Sequence, residues 1–371
     1  MIKVGIVGCG VVGAAIAYEL SRVEGLNVTL FDRQTPASGS TGAALGVLMG
    51  AISQKTKGRG WRLRSASMRR YDSLIAELRE ITGQDFPYNQ QGILLLRFAE
   101  DDRDRWEKLI EVRKAQGWKL ELCDRLSLQE KCPQLQNDRI VGAVYSPQDR
   151  QVDPTALTQA LVTAARINGV NCNFGLEVQN FATTTVTGSN ELLCQEIYTT
   201  GGAFEIDWLV ISAGLGSLPL TTSLSQKVDI RPVLGQALHV KSKQPLGNPN
   251  FQPVITGDDV HIVPLGNQEY WLGATVEFPD DTGEINADSA LLAQVKKQAI
   301  SFCPALANAT ILRTWSGKRP RPEGQSAPVI SKLTGYRNVL LATGHYRNGI
   351  LLAPATALQI KETILKNQEN C

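Results

Sequence analysis

Ile2-Lys3-Val4-Gly5-Ile6-Val7 is a strand-like run that passes directly into Gly8-Cys9-Gly10-Val11-Val12-Gly13, and this junction restricts the fold more than any other feature of the chain. In a GxGxxG turn that follows a strand and opens a helix, each glycine has its own physical reason. Gly8 permits the tight turn, Gly10 lets backbone approach a pyrophosphate, and Gly13 lets the helix pack closely on the strand. The helix N-terminus offers unpaired N–H groups and partial positive charge to phosphate. A second strand over 28–31 ends at Asp32, where an acid about 20 residues past the turn accepts the hydroxyls of an adenosine ribose. The same carboxylate repels a 2′-phosphate, which disfavours NADP. The turn predicts dinucleotide binding in a β-α-β unit without separating FAD from NAD.

Further along, apolar spacing predicts helices over 71–80, 102–116, 154–168 and 287–301. The third of these starts on Pro154 with Asp153 as its N-cap. Strands are expected over 92–98, 171–174, 192–198, 207–212 and 339–342, and short extended segments with Gly, Pro and Asn turns over 228–275 suggest an antiparallel sheet. A last helix should run to about Lys366, with its regular part beginning near Pro354. β-α character at both ends and a β-rich middle predict one discontinuous nucleotide domain interrupted by a substrate domain.

Composition sets the remaining bounds. With 371 residues, 43% apolar and 20% charged, the chain suits a two-domain globular enzyme. A net charge of +2 gives no general attraction to nucleic acid or membrane, and no nucleic-acid partner is expected. Lys55, Lys57, Arg59, Arg62, Arg64, Arg69 and Arg70 form a local basic stretch without acids. It reads as a solvated loop leading into a helix, or as a contact for an anionic surface. Seven scattered cysteines without a CxxC pair argue against zinc and against a disulfide framework. Reduced thiols fit a cytoplasmic location. The apolar start resembles a signal peptide in composition, but the glycine turn accounts for it. No apolar run reaches the roughly 18 residues that a membrane span needs.

Two further segments point to a flavin. Ser38-Gly39-Ser40-Thr41-Gly42-Ala43-Ala44-Leu45-Gly46 joins small residues to hydroxyls, which suits close backbone passage along a ribityl chain. Near the C-terminus, Gly344-His345-Tyr346-Arg347-Asn348-Gly349-Ile350-Leu351-Leu352-Ala353-Pro354 turns out of a strand into a helix. Together with the glycine turn and Asp32, these segments resemble the D-amino-acid oxidase superfamily, with the C-terminal segment most similar to the glycine oxidases of thiamine biosynthesis. The likeness runs through nearly the whole chain, and includes Gly92, Ser212-Ala213-Gly214, Ile262–Pro264 and Leu272–Thr275.

The resemblance implies an α/β fold: a Rossmann-like FAD-binding domain formed by 1–86, 140–222 and 315–371. A smaller α+β substrate domain with an antiparallel sheet would take 87–139 and 223–314. It implies FAD contacts at Gly8, Gly10, Val11, Val12, Gly13, Asp32, Arg33, Ser40, Thr41, Ala44, Leu45, Gly46 and Leu48. Further contacts would come from Val178, Ala213, Gly214, His345, Tyr346, Arg347, Asn348, Gly349, Ile350 and Leu351. Arg319 matches the arginine that holds the substrate carboxylate, and Arg347 a second one beside flavin and substrate. The stretch after Arg319 is one residue longer than the family pattern, which leaves Arg321 as a rival. His261 stands where glycine oxidases carry a tyrosine, and Val276 where they carry a methionine. The implied activity is oxidation of a small amino acid or amine (glycine, sarcosine or a D-amino acid), with molecular oxygen as electron acceptor. Products would be an imine, then a 2-oxo acid with ammonia, and hydrogen peroxide. A dehydrogenase passing electrons to a quinone or carrier stays open, as does a low-turnover flavin-binding docking protein. A homo-oligomer is compatible with all of these.

Overall fold

A computed structural model describes residues 1–368. The organising element is a six-stranded sheet in the order Val329–Lys332, Val339–Thr343, Trp208–Ile211, β1 (Ile2–Val7), β2 (Leu26–Asp32) and Asn171–Phe174. All neighbours are parallel except the Val329–Lys332 edge. Strands of this kind, covered on both faces, read as continuous apolar runs. Trp208-Leu209-Val210-Ile211 is fully buried in this way.

Helix α1 (Val11–Ser21) runs back across the sheet, and Val11 to Leu20 are all buried. Such all-round burial requires small residues, and Ala14, Ala15 and Ala17 let α1 nestle among neighbouring helices. Those neighbours are Pro154–Ile167 and the C-terminal helix Gly349–Gln368, with α2 (Gly58–Thr82) outside them. Asp153 caps its helix as expected, accepting from the Ala156 N–H at 2.9 Å with Pro154 in the first turn. The other face is covered by a three-stranded sheet, Val178–Thr185, Leu192–Thr199 and Gly202–Glu205.

The second large sheet has eight strands. Their order is Thr310–Pro322, Ile230–Lys241, Glu269–Gly273, Val260–Gly266, Val254–Gly257, Ile93–Phe98, Ile140–Ser146 and Glu121–Asp124. Leu238, Val240, Ile262 and Leu272 point to one face, against the helix Ser289–Phe302. Ala237, Val263 and Trp271 point to the other, against Leu45, Val47 and Met49. Ile140–Ser146 and most of Thr310–Pro322 fall in ranges expected of the nucleotide domain, yet both hydrogen-bond into this sheet. The ranges implied by the resemblance cut through it because strand pairing joins segments distant in sequence.

Two expectations about helices are corrected. Most of the basic stretch is not a loop: after Lys55 and the N-cap Lys57 it forms the first half of the 25-residue α2, so the helix starts well before Tyr71. Trp61, Leu63, Met68 and Tyr71 face inward at helical spacing, while Lys57, Arg59, Arg62 and Arg69 stay exposed. The C-terminal helix begins at Gly349 and contains Pro354, rather than starting near it. Pro354 has no N–H to offer the carbonyl four residues earlier. That carbonyl, on Ile350, instead accepts from the buried Tyr71 hydroxyl at 2.5 Å. The Ala355 N–H donates to Ser67 Oγ at 3.2 Å. α2 therefore supplies what the proline removed. Among the described residues no helix is long and apolar enough to cross a membrane. Six cysteines carry free thiols, and Cys371 lies outside the described residues.

Candidate active site

The glycine turn has the geometry its spacing predicts. Gly8 takes a φ of +106°, and a Cβ there would stand 2.6 Å from Ala213 Cα. At Gly13 a Cβ would fall 1.8 Å from the Gly8 carbonyl oxygen, so α1 could not pack on the turn with any side chain at that position. Thr41 Oγ1 accepts from the Val11 N–H at 3.1 Å, and a Cβ on Gly10 would lie 3.0 Å from the same hydroxyl. Asp32 accepts from the Cys9 N–H at 2.6 Å and the Gln34 N–H at 2.8 Å, which fixes its carboxylate beside the turn. The bare backbone of Gly8 and Gly10, the N-terminal N–H groups of α1 (Val12 and Gly13, with Val11 held by Thr41) and an anchored acid together fit a dinucleotide.

Other residues expected at the cofactor divide into groups. Ala213 and Gly214 follow the Trp208–Ile211 strand, Ala213 adjoining Gly8 and Gly214 lying near Pro320. Val178 opens its strand and packs in the cluster that includes Val7 and Ala213. Arg33 turns outward to Glu177 at 3.3 Å and is largely exposed. Leu48 is enclosed in the helical core, pairs with Arg150 across strands and accepts from the Gly50 N–H at 3.1 Å.

The 38–46 loop leaves the nucleotide sheet and lies on the eight-stranded one. Ser40 Oγ donates to the Lys318 carbonyl at 2.6 Å, and Trp315 Nε1 donates to the Ala43 carbonyl at 3.0 Å. Ala44 is half-buried against the helical core. A Cβ on Gly317 would stand 2.2 Å from Ala43 Cβ, and one on Gly273 3.1 Å from Leu45 Cδ1. Gly46, at φ +71°, is pressed against the Val152 carbonyl.

Beneath this loop, strand register sets Thr256, His261, Gly273, Ala237 and Trp315 in one row across the sheet. Alternation along Thr310–Pro322 gives Trp315, Gly317 and Arg319 a common face. The Arg319 guanidinium lies over Gly235, where a Cβ would meet it at 2.2 Å, and Nη1 donates to the Leu234 carbonyl at 2.9 Å. No carboxylate bonds to it among the described residues. Burial lowers its proton affinity, and the nearby Arg347 lowers it further. Arg321, the rival, pairs with Glu323 at 3.0 Å and lies over Phe278.

Arg347 comes from the other end of the chain. Gly344 and Tyr346, both at positive φ (65° and 52°), turn the Val339–Thr343 strand into the C-terminal helix. Arg347 is exposed on that turn, 3.5 Å from Asp259. His345 is buried beneath it, and Nε2 lies 3.0 Å from Thr356 Oγ1. The Thr356 hydroxyl donates to the Leu352 carbonyl, so the histidine must donate to it and is the Nε2–H tautomer. Asn348 faces α2, accepting from Arg64 at 3.2 Å. Gly349 opens the C-terminal helix, with Ile350 and Leu351 buried behind it.

His261 joins these groups. Its Nδ1 is 2.9 Å from Thr256 Oγ1. Burial lowers its pKa to about 4, and Arg347 and Arg319 act in the same direction. The structure thus brings His261, Arg319 and Arg347 within electrostatic reach of one another. Sequence reading missed the small residues that make room for them, Gly235, Gly273 and Gly317. Alternation within a strand is legible in sequence, but the register that stacks three strands is not. Arg64 was legible only as one of a run of cations, and Asp259 gave no signal at all.

Comparison with known proteins extends these observations along the chain. The family model described as DAO, FAD dependent oxidoreductase, matches residues 3–363. Glycine oxidase of Geobacillus kaustophilus (strain HTA426) is 28% identical over 365 residues, covering 98% of this chain and 93% of the relative. Glycine oxidase of Bacillus subtilis (strain 168) is 29% identical over 366 residues, covering 98% and 93%. The crystal structure of the Geobacillus kaustophilus enzyme superposes with a TM-score of 0.84 at 28% identity, over 99% of this chain and 95% of that one. L-proline dehydrogenase from P. horikoshii shares the fold, with a TM-score of 0.84 at 23% identity over 99% and 94%. Since the match takes in the glycine turn, both large sheets and the C-terminal helix, the chain belongs to the DAO family of FAD-dependent oxidoreductases.

Proposed function

We propose that this enzyme oxidises the Cα–N bond of a small amino acid or amine, such as glycine, sarcosine or a D-amino acid, with molecular oxygen as acceptor. The observation that carries the reading is the half-buried Arg319 guanidinium, which lies beside His261 and Arg347 and bonds no carboxylate among the described residues. A guanidinium taken from water without an acid is costly, and a substrate carboxylate supplies the missing partner in a bidentate geometry. Two glycine oxidases over nearly the full length support the same substrate class.

FAD, held by the glycine turn and Asp32, would supply the two-electron redox chemistry between substrate and oxygen. The protein's own work is binding and alignment. Arg319 fixes the carboxylate, and Arg347 on its turn closes the site from the C-terminal side. Fixing the acid sets the Cα–H direction and removes the entropy of orientation from the barrier. His261 is neutral at physiological pH. If Thr256 donates to Nδ1, Nε2 carries the proton and donates a hydrogen bond as the family's tyrosine hydroxyl would. The released imine hydrolyses in water to the 2-oxo acid and ammonia.

Anaerobic mixing of the yellow holoenzyme with glycine, sarcosine and D-alanine tests the reading, which expects the flavin absorbance to bleach with at least one of them. A flavin that no amino acid or amine reduces would sink it. Peroxide formed in equal amount to substrate consumed identifies oxygen as the acceptor, and absence of peroxide during turnover with a quinone overturns that part alone.

A further inference from the structure

Arg64 is a second half-buried guanidinium without an acid. Of its five N–H donors, Nη1 reaches the Gly60 carbonyl at 3.1 Å and Nη2 reaches Asn348 Oδ1 at 3.2 Å. Nε is enclosed with no partner. No carboxylate pairs with Arg64 among the described residues, and burial lowers its proton affinity. Its position is specific. Asn348 directly follows Arg347, so Arg64 is anchored to the turn that brings Arg347 to the site. The exposed cations of the same stretch, Lys57, Arg59 and Arg62, also form no ion pair among the described residues. Arg59 is close enough to His345, beneath that turn, to disfavour its protonation.

Glycine and sarcosine are zwitterions with one carboxylate and no net charge. Arg319 and Arg347 suffice for that group, and a cationic approach gives a neutral molecule no steering. The arrangement therefore holds more positive charge than a simple amino acid uses, on a protein whose net charge is only +2. We propose that Arg64 forms a second anion subsite beside Asn348 and Arg347, and that the enzyme prefers amino acids or secondary amines bearing a second carboxylate. This inference rests on the amino-acid oxidase reading and refines its substrate class. The exposed cations draw such a net anion toward the site, Arg319 holds the carboxylate next to the reacting carbon, and Arg64 holds the other.

The test uses holoenzyme and two measurements. In the first, acetate and malonate, which carry one and two carboxylates and are not oxidised, are titrated against the flavin spectrum. Malonate is expected to bind roughly tenfold tighter or more, the worth of one charge-assisted hydrogen bond, and to lose that advantage in Arg64→Gln. Equal affinity for the two in wild type overturns the inference. In the second, the kcat/KM ratio of iminodiacetate to glycine is expected to fall roughly tenfold or more in Arg64→Gln and to recover in part in Arg64→Lys. A ratio that stays put in a variant with normal flavin content and melting temperature also overturns it. So does a patch that serves a surface instead: sedimentation with phosphatidylglycerol vesicles, lost in Arg62→Gln, together with an unmoved ratio. Failure of the parent reading is distinguishable. Were no amine to reduce the flavin, the oxidase would fall while malonate binding still reported on the subsite; were glycine alone to reduce it, with malonate no better than acetate, only the subsite would fall.

Discussion

Arg319 and Gly235 show how one missing side chain serves a charged one. The guanidinium occupies the volume where a Cβ on Gly235 would lie, 2.2 Å from Nη2. Only the far end of a flexible side chain is in the way, so Gly235→Ala is expected to fold normally and push the guanidinium aside. We expect KM to rise roughly tenfold or more with little change in melting temperature, a split read by steady-state kinetics and thermal denaturation together. Arg319→Ala removes the group itself, and a loss of roughly 100-fold or more in kcat/KM is expected for the partner of a buried charge. Arg319 was visible in sequence through its neighbours Pro320 and Trp315. Gly235 was not, because a glycine in a β-rich segment reads as a turn until the strand opposite it is known.

The C-terminal helix illustrates how one helix repairs another. A proline at its sixth position should weaken the opening turn, and sequence reasoning placed the start of the helix near Pro354 for that reason. The Tyr71 hydroxyl and Ser67 Oγ, one helical turn apart on α2, satisfy the groups that the proline disturbs. Tyr71→Phe keeps the ring and removes the donor, leaving a buried carbonyl unpaired. It should cost about 1–3 kcal/mol, measurable as a lower urea midpoint, and loosen the turn that carries Arg347. The same blindness applied to α2. Its basic first half looked like a loop because charge masked the apolar positions at Trp61, Leu63, Met68 and Tyr71, which recur at helical spacing.

Across the protein, one buried acid ties together three helices remote in sequence. Glu19 on α1 is almost fully enclosed and bonds Arg70 of α2 at 2.7 Å and Lys361 of the C-terminal helix at 3.3 Å. Burial alone would lower the proton affinity of Arg70, but Glu77 and Glu19 more than offset it. Glu19→Ala leaves Arg70 to Glu77 alone and takes from Lys361 its buried acid, and should cost about 1–3 kcal/mol, while Glu19→Gln, which keeps an acceptor, should lose less. Stability should also fall with acid. Burial lowers His345 to about 3 and His261 to about 4, whereas both titrate near 6.5 in an unfolded chain. Between those values the unfolded state binds more protons, so stability is complete above about pH 6.5 and is lost as pH falls toward 3. Urea midpoints across that range check this, and a profile as steep in His345→Gln as in wild type would show that His345 is not a source.

Local patterns were enough to read the glycine turn, the position of Asp32, the helix at Pro154 and the family, because each depends on residue types at short, rigid spacings: glycines where a Cβ would collide, an acid at a strand end, a proline and its cap. The spatial meeting of His261, Arg319 and Arg347, and the bond from Arg64 to Asn348 next to Arg347 in sequence, were matters for the tertiary structure alone. These residues come from four elements spread between residues 58 and 368, and what unites them is cross-strand register and helix packing. Those are set by total burial, which no local window contains.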